Sequence, residues 1–161
     1  MAEAIALIDY GAGNLHSVHN ALMAAGAERV TVTADPDLVL GAQRIVLPGV
    51  GAFGACAAGL FGIPGMAEAL EQRVIRDGVP FLGICVGMQL MATRGLEHGE
   101  TPGLGWIAGD VKLIERTDPA IKIPHMGWND VEPTPHHDGA ELIEAGEAYL
   151  EPRRFRRRRT R

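Results

Sequence analysis

The amino-acid sequence predicts an α/β fold, built on an open, doubly wound sheet of mostly parallel strands. Three observations carry this prediction: short apolar runs end in glycine turns, amphipathic helical stretches separate these runs, and no linker divides the chain. Parallel strands require crossover helices, and a sheet covered on both faces has strands that are apolar throughout. The chain has 161 residues, of which 47% are hydrophobic and 22% are charged, so one domain with a substantial core fits.

Strand and helix patterns alternate through the first two thirds of the chain. Apolar runs predict strands at 4–8, 30–33, 45–47 and 79–84, and helical spacing predicts helices that begin near residues 15, 36, 66 and 86. The last of these helices is expected to run to Thr93. Two extended segments then follow without a helix between them, 106–113 and 121–124, which predicts an antiparallel excursion near 105–131.

Composition and charge exclude several classes of protein. No apolar run approaches the ~20 residues of a membrane helix, and the first residues lack the basic region of a secretory signal. Two cysteines do not make a disulfide scaffold, so we expect a reduced, cytoplasmic protein. The net charge of −5 hides an asymmetry, because residues 1–152 carry eight basic and 20 acidic residues, whereas residues 153–161 carry seven arginines.

The segment Gly83-Ile84-Cys85-Val86-Gly87 is the strongest chemical candidate, because it joins a predicted strand directly to a predicted helix. A tight turn there presents the thiol of Cys85 at the carboxyl edge of the sheet, and the flanking glycines let strand and helix approach closely. The amide of Val86 would then face the oxyanion that thiol attack creates. The alternative is a buried structural cysteine, but the strand–turn–helix setting favours a nucleophile.

Glycines also follow two other predicted strands. Leu47-Pro48-Gly49-Val50-Gly51 ends the third strand, where it is either a simple turn or an oxyanion donor to the same crevice. Gly11-Ala12-Gly13 follows the first strand, but His16 stands where a dinucleotide fingerprint requires glycine, which argues against NAD. His136-His137-Asp138 are adjacent and cannot all face one ion in a regular element, so no metal site is predicted.

Five segments, in order along the chain, resemble one family. They are Ile8–Asn14, Leu47–Phe53, Phe81–Leu90, Gly103–Trp106 and Lys122–Asn129. Together they resemble the glutamine amidotransferase subunits of imidazole glycerol phosphate synthase, a family of class I, triad-type amidotransferases with a flavodoxin-like fold. The resemblance spans residues 4 to about 149. We therefore expect an incomplete amidotransferase domain at 1–149 and a disordered, arginine-rich tail at 150–161.

The resemblance implies a reaction and a set of site residues. Cys85 would attack the side-chain amide of glutamine, release ammonia and form a thioester that water hydrolyses to glutamate. No metal or organic cofactor is implied. The matching positions are Gly49, Val50 and Val86 for the oxyanion hole, and Gly51 and Gln89 for the substrate.

The resemblance also implies a partner. Ammonia would pass to a cyclase subunit, a TIM barrel, for the formation of imidazole glycerol phosphate in histidine biosynthesis. Asn14, Met126 and Trp128 match the face that docks on this cyclase, although Trp128 on its own pattern is either a core residue or a surface anchor. Neither nucleic acid nor a membrane is expected as a partner.

One part of the family pattern is absent from these residues. The family supplies its general base and an orienting carboxylate from a His-Pro-Glu segment, whereas this sequence holds none and its last histidine is His137. We therefore expect a truncated or frameshifted chain that lacks its C-terminal strands, with strongly impaired or no activity. The run 153–161 is then an out-of-frame product, and a basic tail for nucleic acid is the other interpretation.

Two functional alternatives follow from the same sequence. The first is a non-catalytic, defective subunit that only docks on the cyclase. The second is a different cysteine hydrolase on a similar sheet, which would act without the cyclase. A parallel α/β domain without its last strands would expose an unpaired sheet edge and apolar surface, so we expect poor solubility or stability of the isolated chain.

Overall fold

The computed structural model describes residues 4–113, 127–132, 146–150 and 156–157. The chain forms two compact units, Met1–Lys112 with Arg156–Arg161, and Leu113–Phe155. The helices are α1 (Leu15–Ala24), α2 (Pro36–Leu40), α3 (Phe53–Phe61), α4 (Met66–Leu70, continued by a π-helical segment, Glu71–Arg76) and α5 (Val86–Gln89). The strands are β1 (Ala4–Ile8), β2 (Arg29–Thr33), β3 (Arg44–Leu47), β4 (Phe81–Gly83), β5 (Ala92–Gly95), β6 (Thr101–Pro102), β7 (Ile107–Val111), β8 (Gly127–Val131), β9 (Gly146–Leu150) and β10 (Arg156–Arg157).

The first unit contains the predicted parallel sheet. Its strands lie in the order β2-β1-β3-β4, and every neighbouring pair is parallel. Because the carboxyl ends of parallel strands share one edge of the sheet, the segments that follow β1, β3 and β4 lie together at that edge. This arrangement confirms the predicted fold class and sets the position of the candidate site.

Both faces of this sheet are covered, as a doubly wound fold requires. Alternate residues of β1 point to opposite faces. Ala6 and Ile8 belong to a large core, together with Leu47 and buried residues of α3 and α4. Ile5 and Leu7 belong to a smaller core, together with Val46 of β3 and the apolar face of α1.

Two side chains start the first helices where the sequence predicts. The Oδ1 atom of Asn14 accepts a hydrogen bond of 3.1 Å from the backbone N–H of Ser17 at the start of α1. The Oδ1 atom of Asp35 accepts one of 2.9 Å from the N–H of Asp37, and Pro36 occupies the first turn of α2. These caps satisfy backbone donors that a helix leaves unpaired at its beginning.

The helix predicted from Val86 to Thr93 is too long. The observed α5 ends at Gln89, and β5 begins at Ala92. The cause is non-local, since the carbonyls of residues 90–93 accept hydrogen bonds of 2.7–3.0 Å from the amides of residues 103–105 and 107. These backbone bonds draw the segment into a second sheet.

This second sheet is mixed, in the order β10-β7-β5-β6. The pair β5–β7 is parallel, whereas β5–β6 and β10–β7 are antiparallel. The predicted strand at 106–113 corresponds to β7, and the one at 121–124 lies outside the described residues. Within the tail that was expected to be disordered, Arg156–Arg157 forms β10, because the backbone of β7 offers it an antiparallel partner.

In the second unit, the described residues form one antiparallel pair, β8 with β9. Its register runs from Gly127 opposite Leu150 to Val131 opposite Gly146. Within the described ranges, no single helix has the length and apolar character of a membrane span. Two helices bent by 93°, Phe53–Phe61 and Met66–Arg76, would reach that length and composition together.

We predict that Leu7→Ala destabilises the first unit strongly. The Leu7 side chain is fully buried on a central strand, so its truncation should lower the free energy of unfolding by about 2–5 kcal/mol. Leu38→Ala is the matched control, because Leu38 is 51% exposed and should change the same quantity by less than about 0.5 kcal/mol. Urea unfolding followed by circular dichroism measures both, and equal effects would contradict the assignment of the core.

Candidate active site

The turn between β4 and α5 holds Cys85 in an unusual backbone conformation. Cys85 has φ 56° and ψ −115°, and among the described residues it is the one non-glycine with a positive φ. A conformation of this kind costs about 1–3 kcal/mol and persists only where the surroundings impose it. Cys85 is exposed, so its thiol is presented to solvent at the carboxyl edge of the sheet.

The surroundings that impose this turn are backbone atoms. The N–H of Ile84 donates a 2.9 Å hydrogen bond to the carbonyl of Leu47, the last residue of β3. Gly87 packs directly on that same carbonyl, where an added Cβ would collide with the oxygen. At Gly83 an added Cβ would lie 2.7 Å from the backbone nitrogen of Met88. Glycine therefore lets β3, β4 and α5 approach one another with no side chain between them.

The predicted oxyanion-hole residues are brought together by this packing. Gly49 is buried against the start of α5, and a Cβ added to it would lie 2.6 Å from the nitrogen of Gly87 and 2.9 Å from Val86 Cβ. Val86 opens α5, where first-turn amides have no partner inside the helix. The side chain of Val50 is 62% exposed. The arrangement places backbone amides next to an exposed thiol, which suits attack on a carbonyl carbon.

The two predicted substrate-binding residues flank this centre. Gly51 follows Val50 with φ 100°, a left-handed conformation that glycine adopts without strain. Gln89 is the last residue of α5 and is half-buried. Both residues therefore lie on the segments that carry Val50 and Cys85.

The turn after β1 completes the group of strand ends. Gly13 packs on Pro48, where an added Cβ would lie 2.9 Å from the Pro48 Cβ. Tyr10 is buried beside them, and its hydroxyl donates a 2.6 Å hydrogen bond to the carbonyl of Pro48. Burial, followed by the nearby Cys56, raises the pKa of Tyr10, so its hydroxyl keeps its proton near neutral pH.

The sequence interpretation overlooked three residues near this site. Tyr10 stands within a glycine turn, Cys56 seemed merely to lack a disulfide partner, and Glu97 falls in a polar loop. The carboxylate of Glu97 accepts a 2.9 Å hydrogen bond from the N–H of Phe53 and caps α3, whose own N-cap residue makes no side-chain bond. The one sequence signal was for Tyr10, a polar aromatic residue at the end of a buried strand.

The three predicted docking residues fall in different parts of the chain. Asn14 is exposed and caps α1 in the first unit. Trp128 is 68% exposed on β8 in the second unit. Met126 lies outside the described residues, as do the adjacent His136 and His137.

A large cavity among the described residues lies elsewhere. It measures about 720 Å³, is lined by residues of α2, α4 and the π-helical segment together with Trp106, and does not include Cys85. The Trp106 indole N–H donates a 3.0 Å hydrogen bond to the carboxylate of Glu71 at its wall. Cavity volume alone therefore does not locate the candidate active site.

The described residues hold no group of three or more side chains that could bind a metal ion.

Comparison with known proteins gives one consistent family. The family model described as glutamine amidotransferase class-I matches residues 6–147. A protein of Zymomonas mobilis named imidazole glycerol phosphate synthase subunit HisH is 56% identical over an alignment of 151 positions that covers 92% of this chain and 70% of that protein. The protein of the same name from Caulobacter vibrioides is 51% identical over an alignment of 162 positions that covers 93% of this chain and 76% of that protein.

A solved structure supports the fold independently. A crystal structure described as a glutamine amidotransferase superimposes with a TM-score of 0.65 at 16% identity, and it covers 91% of this chain and 70% of that one. At this identity the likeness concerns the fold alone.

We predict that Gly87→Ala disrupts the turn at Cys85. The added methyl group meets the Leu47 carbonyl, which is fixed in the sheet, so the free energy of unfolding should fall by about 3 kcal/mol or more. Gly41→Ala is the matched control, because its added Cβ lies 3.7 Å from the nearest atom and its φ is −88°. Thermal unfolding compares the two variants, and equal midpoints would contradict the close packing described above.

Proposed function

The chain belongs to the class-I glutamine amidotransferase family, and from this we propose that it hydrolyses glutamine to supply ammonia to a cyclase subunit. The observation that carries the proposal is the positive φ of Cys85 on a tight turn between β4 and α5. That conformation presents an exposed thiol next to Val86, and the glycine turn at Gly49 packs against Val86, an arrangement suited to acyl transfer. The relatives' shared name, imidazole glycerol phosphate synthase subunit, supports histidine biosynthesis as the setting.

The proposed reaction has two halves. In the first, the Cys85 sulfur attacks the side-chain amide carbon of glutamine, and the amides of Val50 and Val86 stabilise the oxyanion. Collapse of this intermediate breaks the C–N bond, and the nitrogen leaves as ammonia after it takes up the proton lost by the thiol. In the second half, water attacks the γ-glutamyl thioester, which releases glutamate and restores the thiol. Gly51 and Gln89 would bind the glutamine substrate beside the turn.

Proton transfer in this scheme requires an acid–base group near Cys85. The family resemblance implies a His-Pro-Glu segment for that task, and the 161 residues contain none. The second candidate function is a subunit that docks on the cyclase without hydrolysing glutamine.

We propose Asn14, Met126 and Trp128 as residues that contact the cyclase, because they match the docking positions of the family. An aromatic side chain that is largely exposed provides a large apolar contact, and such residues often dominate the energy of an interface. With 68% of its area exposed, Trp128 fits this role. We infer that the complex forms in the cytoplasm and that ammonia moves from Cys85 to the cyclase within it.

We predict that Cys85→Ala abolishes glutamate release. With the cyclase present, the rate should fall by at least about a thousandfold, because the nucleophile has no substitute. The measurement is glutamate formed from L-glutamine by the full chain and by the variant, with D-glutamine as the substrate control.

Four outcomes, from this assay together with a cyclase-binding measurement and other amide substrates, separate the candidates. Release that needs Cys85 supports the proposed enzyme. Cyclase binding without release by the unmodified chain would support the docking-only subunit. Release that survives Cys85→Ala would contradict the assigned nucleophile, and Cys85-dependent release from another amide without cyclase would favour a different cysteine hydrolase.

We predict that Trp128→Ala weakens binding to the cyclase at least tenfold, which corresponds to about 1.4 kcal/mol. Met23→Ala is the matched control, since Met23 is also exposed, at 43%, near the far end of α1 from Asn14. Isothermal titration calorimetry of the full chain measures both dissociation constants. An unchanged constant for Trp128→Ala would remove Trp128 from the interface.

A further inference from the structure

The segment Pro48–Val50 is held by two side chains that the proposed reaction does not use. The Tyr10 hydroxyl donates a 2.6 Å hydrogen bond to the carbonyl of Pro48. The Cys56 thiol donates a 3.4 Å hydrogen bond to the carbonyl of Val50. We call this pair of contacts the two-point clamp.

Both donors of the two-point clamp are fixed by their own packing. Tyr10 is 6% exposed and Cys56 is fully buried, and both belong to the large core. Gly59 of α3 lies directly against Tyr10, where an added Cβ would sit 2.6 Å from the Tyr10 carbonyl oxygen and 3.1 Å from its ring. On the other side, a Cβ added to Gly49 would lie 2.8 Å from the Tyr10 hydroxyl. The tyrosine therefore cannot turn away from Pro48.

The Tyr10 hydroxyl keeps its proton near neutral pH. Burial and the neighbouring Cys56 raise the pKa of Tyr10 above its ordinary value, so the hydroxyl remains a donor there. A thiol is a weak donor, so the Cys56 hydrogen bond contributes little energy and mainly orients the Val50 carbonyl.

The peptide between the two carbonyls is the one that matters for the proposed chemistry. The Pro48 carbonyl belongs to the peptide that precedes Gly49, and the Val50 carbonyl belongs to the peptide that follows Val50. Fixing these two peptide planes limits the rotation of the Gly49–Val50 peptide between them. The exposed Val50 side chain supplies little packing of its own, so the orientation of the Val50 N–H depends on the planes at either side.

We propose that Tyr10 and Cys56 are positioning residues that hold the Gly49–Val50 peptide at the angle where its N–H meets the developing oxyanion. This inference rests on the proposed function, because it assigns a purpose to the same site. It extends the site from the edge of the sheet into the core, where Tyr10 after β1 and Cys56 of α3 hold the Pro48–Val50 segment that follows β3.

The test measures covalent labelling of Cys85, which requires no turnover and no general base. The probe is the chloromethyl ketone analogue of L-glutamine, in which the Cys85 sulfur displaces chloride and forms a C–S bond. Its carbonyl must occupy the oxyanion position for the chloromethyl carbon to reach the sulfur. Mass spectrometry of the full chain gives the limiting labelling rate and the half-saturating concentration, and iodoacetamide reports the thiol alone.

Tyr10→Phe removes one oxygen atom from the two-point clamp. We expect the limiting rate with the chloromethyl ketone to fall about threefold to tenfold, the size expected for the loss of one buried hydrogen bond. The half-saturating concentration and the iodoacetamide rate should stay unchanged. A purely structural role for Tyr10 would not produce this split.

Cys56 provides a second and independent pair of variants. Cys56→Ala removes the donor and should lower the limiting rate, whereas Cys56→Ser keeps a donor and should restore most of it. Thr33→Val is the matched control for stability, because it removes a buried hydroxyl that accepts a 2.9 Å hydrogen bond from the Asp35 amide on β2's side of the sheet. It should lose stability and keep the limiting rate.

The outcomes distinguish this inference from the function on which it rests. Equal labelling of unmodified Cys85 by the L and D forms of the probe would overturn the proposed function, and this inference with it. L-selective labelling that Tyr10→Phe and Cys56→Ala both preserve would overturn the inference alone. A lowered limiting rate in either variant, with the iodoacetamide rate intact, supports it.

Discussion

The candidate site depends on direct backbone contact between the end of β3 and the turn that follows β4. The Leu47 carbonyl accepts a hydrogen bond from the Ile84 N–H, and Gly87 packs against the same carbonyl. Because no side chain separates these segments, the turn has no room to relax, and Cys85 is kept at φ 56°. The same contact brings Gly49 against Val86, so one packing constraint both exposes the thiol and assembles the amides around it.

Local patterns in the sequence were sufficient for the first sheet and insufficient for the second. Apolar runs and helical spacing predicted β1 to β4, α1 and α2, because each signal lies within the element that it defines. Helix α3 was not predicted, since it is apolar on nearly every side and has no side-chain cap of its own. Ala92 and Thr93 of β5 were predicted as the end of a helix, because this strand is specified by backbone hydrogen bonds to residues ten or more positions later.

The site shows the same division. The motif around Cys85 predicted the turn. The glycines after β3 predicted an oxyanion donor in the same crevice, because parallel strands end at one edge of the sheet. Tyr10 and Cys56 could not be recognised, since their meaning arises from contacts with Pro48 and Val50 that only the folded chain creates. Asn14 and Trp128 were predicted as docking residues from the family resemblance, and the contact of each with the cyclase stays a prediction.

The strand order also constrains how the protein emerges from the ribosome. The first strand made, β1, lies inside the sheet, and β3 keeps an open edge until β4 has been synthesised. The turns after β1 and β3 are therefore synthesised before the segment that carries Cys85 and the start of α5 is available to pack against them. Contacts between segments so far apart in the sequence form slowly. During that interval the nascent chain presents the unpaired edge of β3 to chaperones and to other chains.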